Sequence, residues 1–423
     1  MRNPPVDRPF VMDRIKADYR KRDPAYDAKY NTLGKRAGDL AARVDPRTQP
    51  ISQQMVDESN WVIRYTDDWP RASALLDRLQ ASLADTNQAL SQQADGSWGP
   101  GCTEWYRKLE PTVDALNQAQ QSGIVGKLSP LSFMKPLEDP TWVVTYLDSL
   151  RTSRIGEAGR NNRDEFGAVL TELSQLIFKP ELRKFLVDHY AELDLKISSE
   201  LEARYTKYLW DLQSPVTGFW GPSYSFPDGP IEVQDVSFTF HIVHYYDDYD
   251  LQDRRSVPRL PLIAATTLAI QKYQYPNGWV TTDKPPRLTD HNNYDVVTLF
   301  ADCWPAVDAG VQKQMAPQVR RLLDWCFNSS IHDGQFDRPS DMTPADSYYY
   351  GVRFLQVAGF WDATAPWGQL AGPPGSLQPK PLAENLLQKF NDAFYDGSES
   401  ADRVRSILGA VIAGTPLPSF GMV

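Results

Sequence analysis

The run TGFWGPSYSFPDGPIEVQDVSFTFHIVHYYDDY, residues 217–249, sets the terms for the whole chain. Its first half is a turn punctuated by Gly218, Gly221, Pro222, Pro227 and Gly229, with aromatics between them. From Asp235 onward it becomes apolar at helical spacing and carries His241 and His244. Similar Gly-aromatic junctions recur as DGSWG at Asp95, NGW at Asn277 and DGQF at Asp333. Positions 217, 277 and 333 lie 60 and 56 residues apart, room for two helices and two loops each time.

Such a series of helical hairpins, with turns along one rim, predicts an all-α chain built as an α/α toroid. Apolar stripes support the helices. Leu75, Leu76, Leu79 and Leu83 form one stripe, and Trp142, Val143, Tyr146, Leu147 and Leu150 another. The clearest runs Phe166, Val169, Leu170, Leu173, Leu176 and Ile177. Further helices are predicted at 235–247, 258–274, 293–304, 316–328 and 344–358, with two more at 382–395 and 401–413. Strand signals are few. Residues 1–50 are charged with scattered prolines. They are expected to form an extended N-terminal arm, with one or two short helices, packing on the body. Residues 51–423 form the toroid, with a Pro/Gly-rich connection at 363–381.

The chain has 423 residues, enough for one large core. Its 12 Trp and 20 Tyr suit a core, and equally a cleft that stacks on sugar rings. A net charge of -10 argues against nucleic acid or a membrane surface as a partner. An anionic polymer bound in a local cleft is compatible with it. No stretch approaches the roughly 20 apolar residues of a membrane span. The N-terminus has no apolar leader segment, so a periplasmic or secreted location would require a leader already removed. The three cysteines form no CxxC, and Cys303 and Cys326 fit an apolar interior.

Three of the five histidines, His241, His244 and His291, fall between Asp235 and Asp302. His241 and His244 are three apart and share a helical face. Two core histidines are the plain interpretation. A metal site would add His291 and one of Asp247, Asp248 or Asp290, but no HEXXH-type spacing is present, and neither metal nor other cofactor is expected. The third possibility uses the whole segment. In DHNNYD, Asp290 caps a helix, so Asn292, Asn293 and Tyr294 sit in its first turn beside a helix end suited to an anion. Arg287 supplies a bidentate partner for a carboxylate. His, Tyr, Asn and Arg together suit β-elimination beside a uronate carboxylate. Hydrogen bonds quiet the charge that builds as the C5 proton leaves, a Tyr phenol takes that proton, and the same group or a His protonates the leaving oxygen.

The FHIVHYY segment and the HNNYD segment some fifty residues later, within a helical chain, resemble the α/α-barrel polysaccharide lyases. The nearest likeness is polysaccharide lyase family 38, which cleaves alginate or glucuronan. The resemblance covers about residues 155–360. It implies an acidic-polysaccharide substrate, Tyr294 as acid/base, His241 as its partner and Arg287 on the carboxylate. Asn292, Asn293 and His244 would help neutralise that carboxylate. Other expected substrate contacts are Arg160, Asn161 and Asn162 at neighbouring subsites, Trp220 and Tyr224 stacking on sugars, and Glu232 and Gln234. Rival functions stay open. A glycoside hydrolase would use a carboxylate pair drawn from Glu232, Asp235, Asp247, Asp290 and Asp346. A terpene cyclase or prenyltransferase would need an acidic motif that DDYDLQD, 247–253, does not match. A noncatalytic carbohydrate-binding scaffold is the third.

Overall fold

The computed structural model describes residues 8–45, 48–123, 127–247, 257–273, 290–337, 344–370, 372, 378–393 and 399–418. Arg287, Asp248 and the NGW turn lie outside them. Helix accounts for 69% of the described residues and strand for 5%, so the chain is all-α. No described helix is long and apolar enough to cross a membrane.

The N-terminal segment is more helical than its composition suggests. It forms α1 (Arg8–Arg22) and α2 (Tyr26–Ala41). The charged residues hide a narrow stripe, Val11, Ile15 and Tyr19, spaced four apart and buried. This stripe builds a second, small core with Tyr26, Trp69, Ile155, Tyr224, Phe226 and Val233. Next come α3 (Pro50–Tyr65) and α4 (Trp69–Ser82), which pack on each other and on α2.

The body continues with α5 (Leu109–Ser122), α6 (Pro140–Arg151) and the single turn α7 (Ile155–Ala158). Then follow α8 (Arg163–Phe178), α9 (Pro180–Leu193) and α10 (Ser199–Leu212). All six apolar residues assigned to the α8 stripe are buried. Beyond the 217–235 turn come α11 (Val236–Asp247), α12 (Leu260–Tyr273) and α13 (Asp290–Cys303). The last helices are α14 (Ala309–Ser329), α15 (Pro344–Val357), α16 (Pro379–Ala393) and α17 (Glu399–Ala413). The α14 helix begins seven residues before the expected 316, because Asp308 caps it, accepting from the Gly310 and Val311 amides at 2.7 and 3.0 Å. It runs on through Pro317.

Two packing patterns matter for the site. Helices two or three apart along the chain touch in series: α5 on α8, α8 on α11, α11 on α13, α13 on α15 and α15 on α17. Gly167 on α8 makes one approach possible, since a Cβ there would lie 2.9 Å from the Phe238 ring of α11. The strands are short. Thr152–Ser153 pairs in parallel with Ser223–Phe226, which pairs antiparallel with Gly229–Glu232. DGQF is a tight hairpin, with Asp333 and Gly334 both at positive φ, between Ile331–His332 and Gln335–Phe336.

Candidate active site

A cavity of about 630 Å³ lies among α5, α8, α11, α13 and α15, within the size range of small-molecule and sugar sites. Each helix gives it one face. From α11 come Ser237, His241 and Tyr245, a stripe spaced four residues apart. From α13 come His291 and Asn292, and from α15 Asp346 and Tyr350. The α5–α8 wall contributes Glu110, Asp114, Thr171, Glu172 and Gln175. Arg107 and Arg163 complete the lining.

The imidazole of His241 stacks on Tyr245, centroids 5.5 Å apart and planes 20° from parallel. Burial, together with His291 and His244 as potential like charges, lowers its pKa to about 3. It is therefore neutral, and a proton acceptor, at ordinary pH. The His291 ring stacks on Tyr350 at 3.9 Å and 19°, with its Nε2 3.7 Å from Asp295 Oδ1 one turn along. Burial pushes the Tyr350 phenol well above its ordinary range, with Asp346 and Tyr349 adding to the effect, so it stays protonated. Arg163 is committed to Asp235, with contacts of 3.1 and 2.8 Å from its Nε and Nη2. Asp235 also caps α11 by accepting from the Ser237 amide at 3.0 Å. That pair fixes the start of the helix that carries His241.

Helix register separates the residues that the sequence grouped. Successive residues turn by about 100°, so HNNY spans most of the circumference of α13. His291 and Asn292 reach the cavity, whereas Asn293 and Tyr294 are both 0% exposed and point away. The assignment of Tyr294 as acid/base is corrected on this ground. Its ring packs edge-on against Phe240 at 5.6 Å, Arg353 lies over it, and the Arg353 Nη2 donates to its oxygen at 3.5 Å. A phenol sealed there cannot reach a polymer. Tyr294→Phe is expected to cost about 1 kcal/mol of stability, the worth of one hydrogen bond, and to leave turnover unchanged. Parallel melting and activity assays of that variant check this.

The other expected contacts divide similarly. His244 sits about 60° around α11 from His241, stacked on Phe240 with Nδ1 3.3 Å from Asp302 Oδ2, and does not line the cavity. Trp220 and Tyr224 are each 1% exposed and belong to the two cores, so neither is a sugar-stacking rim residue. Glu232 is exposed and bonded to Arg151 at 2.9 Å. Gln234 is buried against the Thr217 hydroxyl. Arg160 is held by Glu165 and lies over the Trp61 ring. Asn161 is buried and accepts from the Arg163 amide at 3.1 Å, and the Asn162 amide donates to Ser153 Oγ at 2.9 Å. These three build the turn into α8 and do not line the cavity. Among the described residues no group of His, Cys, Asp and Glu is placed to hold a metal ion.

Several lining residues escaped the sequence. Glu172, Thr171 and Gln175 leave a trace, as polar residues in the middle of the helix with the clearest apolar stripe. Glu110, Asp114 and Tyr350 lie far away along the chain, and only the packing of α5 and α15 brings them in. Glu172 is 4% exposed, and burial, with Asp114 and Glu110 facing it, drives its pKa well up. Comparison with family models, with characterised proteins and with solved structures finds no match.

Proposed function

We propose that this cavity is the catalytic cleft of a lyase that cleaves an acidic polysaccharide, alginate or polymannuronate or glucuronan, by β-elimination on an α/α toroid. The serial packing of α5, α8, α11, α13, α15 and α17 supports the toroid as its inner ring. One observation carries the chemistry: a neutral imidazole, His241, and a protonated phenol, Tyr350, face the same cavity with Asn292 and His291 beside them. Groups whose pKa values are driven apart in this way divide the work of base and acid. His241 takes the C5 proton, the C4–O4 bond breaks as the C4–C5 double bond forms, and Tyr350 protonates the departing oxygen. An anionic sugar beside His241 raises its basicity on binding. The Asn292 amide donates to the uronate carboxylate as charge builds on it. Screening polymannuronate, polyguluronate and glucuronan for ultraviolet-absorbing unsaturated ends tests the proposal. Depolymerisation without such ends would overturn it.

A second function is favoured by the carboxyl trio Glu110, Asp114 and Glu172. A glycoside hydrolase needs one protonated and one ionised carboxyl group across the bond. Of the carboxylates the sequence offers for this whose side chains are described, Glu232, Asp235, Asp290 and Asp346, only Asp346 lines the cavity. Saturated reducing ends would identify it. The acidic groups Glu110, Asp114, Asp164, Glu172 and Asp346 in the lining suit an isoprenoid chain poorly, and binding without any product would mark a scaffold.

A further inference from the structure

We propose that Glu172 is a substrate-contacting residue that keeps its carboxyl proton and donates it in a hydrogen bond to the carboxylate of the bound uronate. This rests on the lyase proposal and extends it, because it explains how an acidic cavity can accept an acidic sugar.

The geometry begins outside the cavity. Lys179, 5% exposed, donates from Nζ to Asn117 Oδ1 at 2.8 Å. That fixes the orientation of the Asn117 amide, whose Nδ2 donates to Gln175 Oε1 at 3.0 Å. The Gln175 amide is fixed in turn, and its Nε2 donates to Glu172 Oε2 at 3.2 Å. Each amide has its oxygen toward the lysine and its nitrogen toward the cavity, so the row delivers a donor to one oxygen of Glu172. Glu172 is 4% exposed yet lines the cavity, and this is the only hydrogen bond its carboxyl makes among the described residues. Its second oxygen is left for a ligand. Glu110 and Asp114, one turn apart on α5, face it and disfavour a further negative charge. Of the nearby arginines, Arg163 is bonded to Asp235, and Arg107, which also lines the cavity, is balanced by Glu110 and Asp164 there and by the buried Glu58 at 3.6 Å. A protonated Glu172 carboxyl lets this acidic wall meet a carboxylate with a donor instead of a further negative charge.

The test compares Glu172→Gln, which keeps a donor, with Glu172→Ala, which does not, in the full chain. Mannuronate and glucuronate trisaccharides serve as probes. Calorimetry should show wild-type affinity falling on the alkaline side as the carboxyl ionises, and Glu172→Gln keeping its affinity without that fall. Glu172→Ala should bind about 10–100-fold more weakly, the worth of a hydrogen bond to a charged group. Melting curves confirm that both variants fold. The infrared spectrum of unliganded wild type at neutral pH should contain a protonated-carboxyl band that Glu172→Gln lacks. Glu172→Gln as weak as Glu172→Ala, Glu172→Ala as tight as wild type, or an unchanged infrared spectrum would overturn the proposal. Wild-type protein that shows the band but binds neither trisaccharide counts against the lyase chemistry and against the contact with uronate, while the carboxyl proton stands on the spectrum alone.

Discussion

Replacing His241 with glutamine is expected to slow elimination about 10²–10⁴-fold, the usual contribution of a positioned acid or base, with little change in melting temperature at neutral pH. Glutamine fills similar space and can hydrogen-bond, but it cannot accept the C5 proton. Little stability should be lost, because the buried Nδ1 of His241 has no hydrogen-bond partner among the described residues. Tyr350→Phe should show a loss of the same order with the same unsaturated product at the residual rate. Unchanged turnover in His241→Gln, with the fold intact, would remove the imidazole from the mechanism. The imidazole also leaves a mark on stability. Its pKa falls from 6.5 in the free residue to about 3 in the fold. Between those values the unfolded chain binds a proton that the folded chain does not. Stability from this group is therefore complete above about pH 6.5 and is lost as the pH falls toward 3. His241→Gln should flatten that part of the acid-denaturation curve.

Trp220→Ala should produce the largest loss of stability, about 3–5 kcal/mol, as expected for truncating a fully buried indole. The indole Nε1 donates to the Leu209 carbonyl at 2.7 Å, at the end of α10. The backbone of Trp220 ties the turn to α11 at both ends: its amide donates to Thr239 Oγ1 at 3.1 Å, and its carbonyl accepts from the Asp235 amide at 3.2 Å. One residue thus joins α10, the 217–235 turn and the beginning of the helix that presents His241. Trp220→Phe should be milder and should leave sugar affinity intact. A sugar-stacking role predicts the reverse, a selective loss of binding in Trp220→Phe with full stability. Denaturant melts and trisaccharide calorimetry on the two variants separate these outcomes.

The helices were legible because stripes such as Phe166–Ile177 repeat at 3.6 residues, a period that survives any tertiary arrangement. The site was legible only in part. His241, Asn292 and the segment holding His291 could be singled out as polar groups in a compact stretch. Which way each side chain faces depends on a neighbour: α15 covers Tyr294, and Phe240 and Asp302 claim His244. Trp220 and Tyr224 could not be told from sugar platforms because an aromatic in a Gly/Pro-rich turn serves a core and a rim equally well. Tyr350 stands in a run of three tyrosines, 348–350, side chains that suit an interior. Two of the three pack there, and the third opens onto the cavity.

The small second core beneath α1 gives the molecule two levels of cooperativity. Val11, Ile15 and Tyr19 hold that helix to Trp69, Ile155 and the 223–226 strand, apart from the apolar interior shared by the other helices. Amide hydrogens there should exchange through a limited opening event well before those of α8 or α13. Each such opening uncovers Tyr224 and Phe226 beside a short sheet edge, a sticky surface that association between copies, or a protease, would find first.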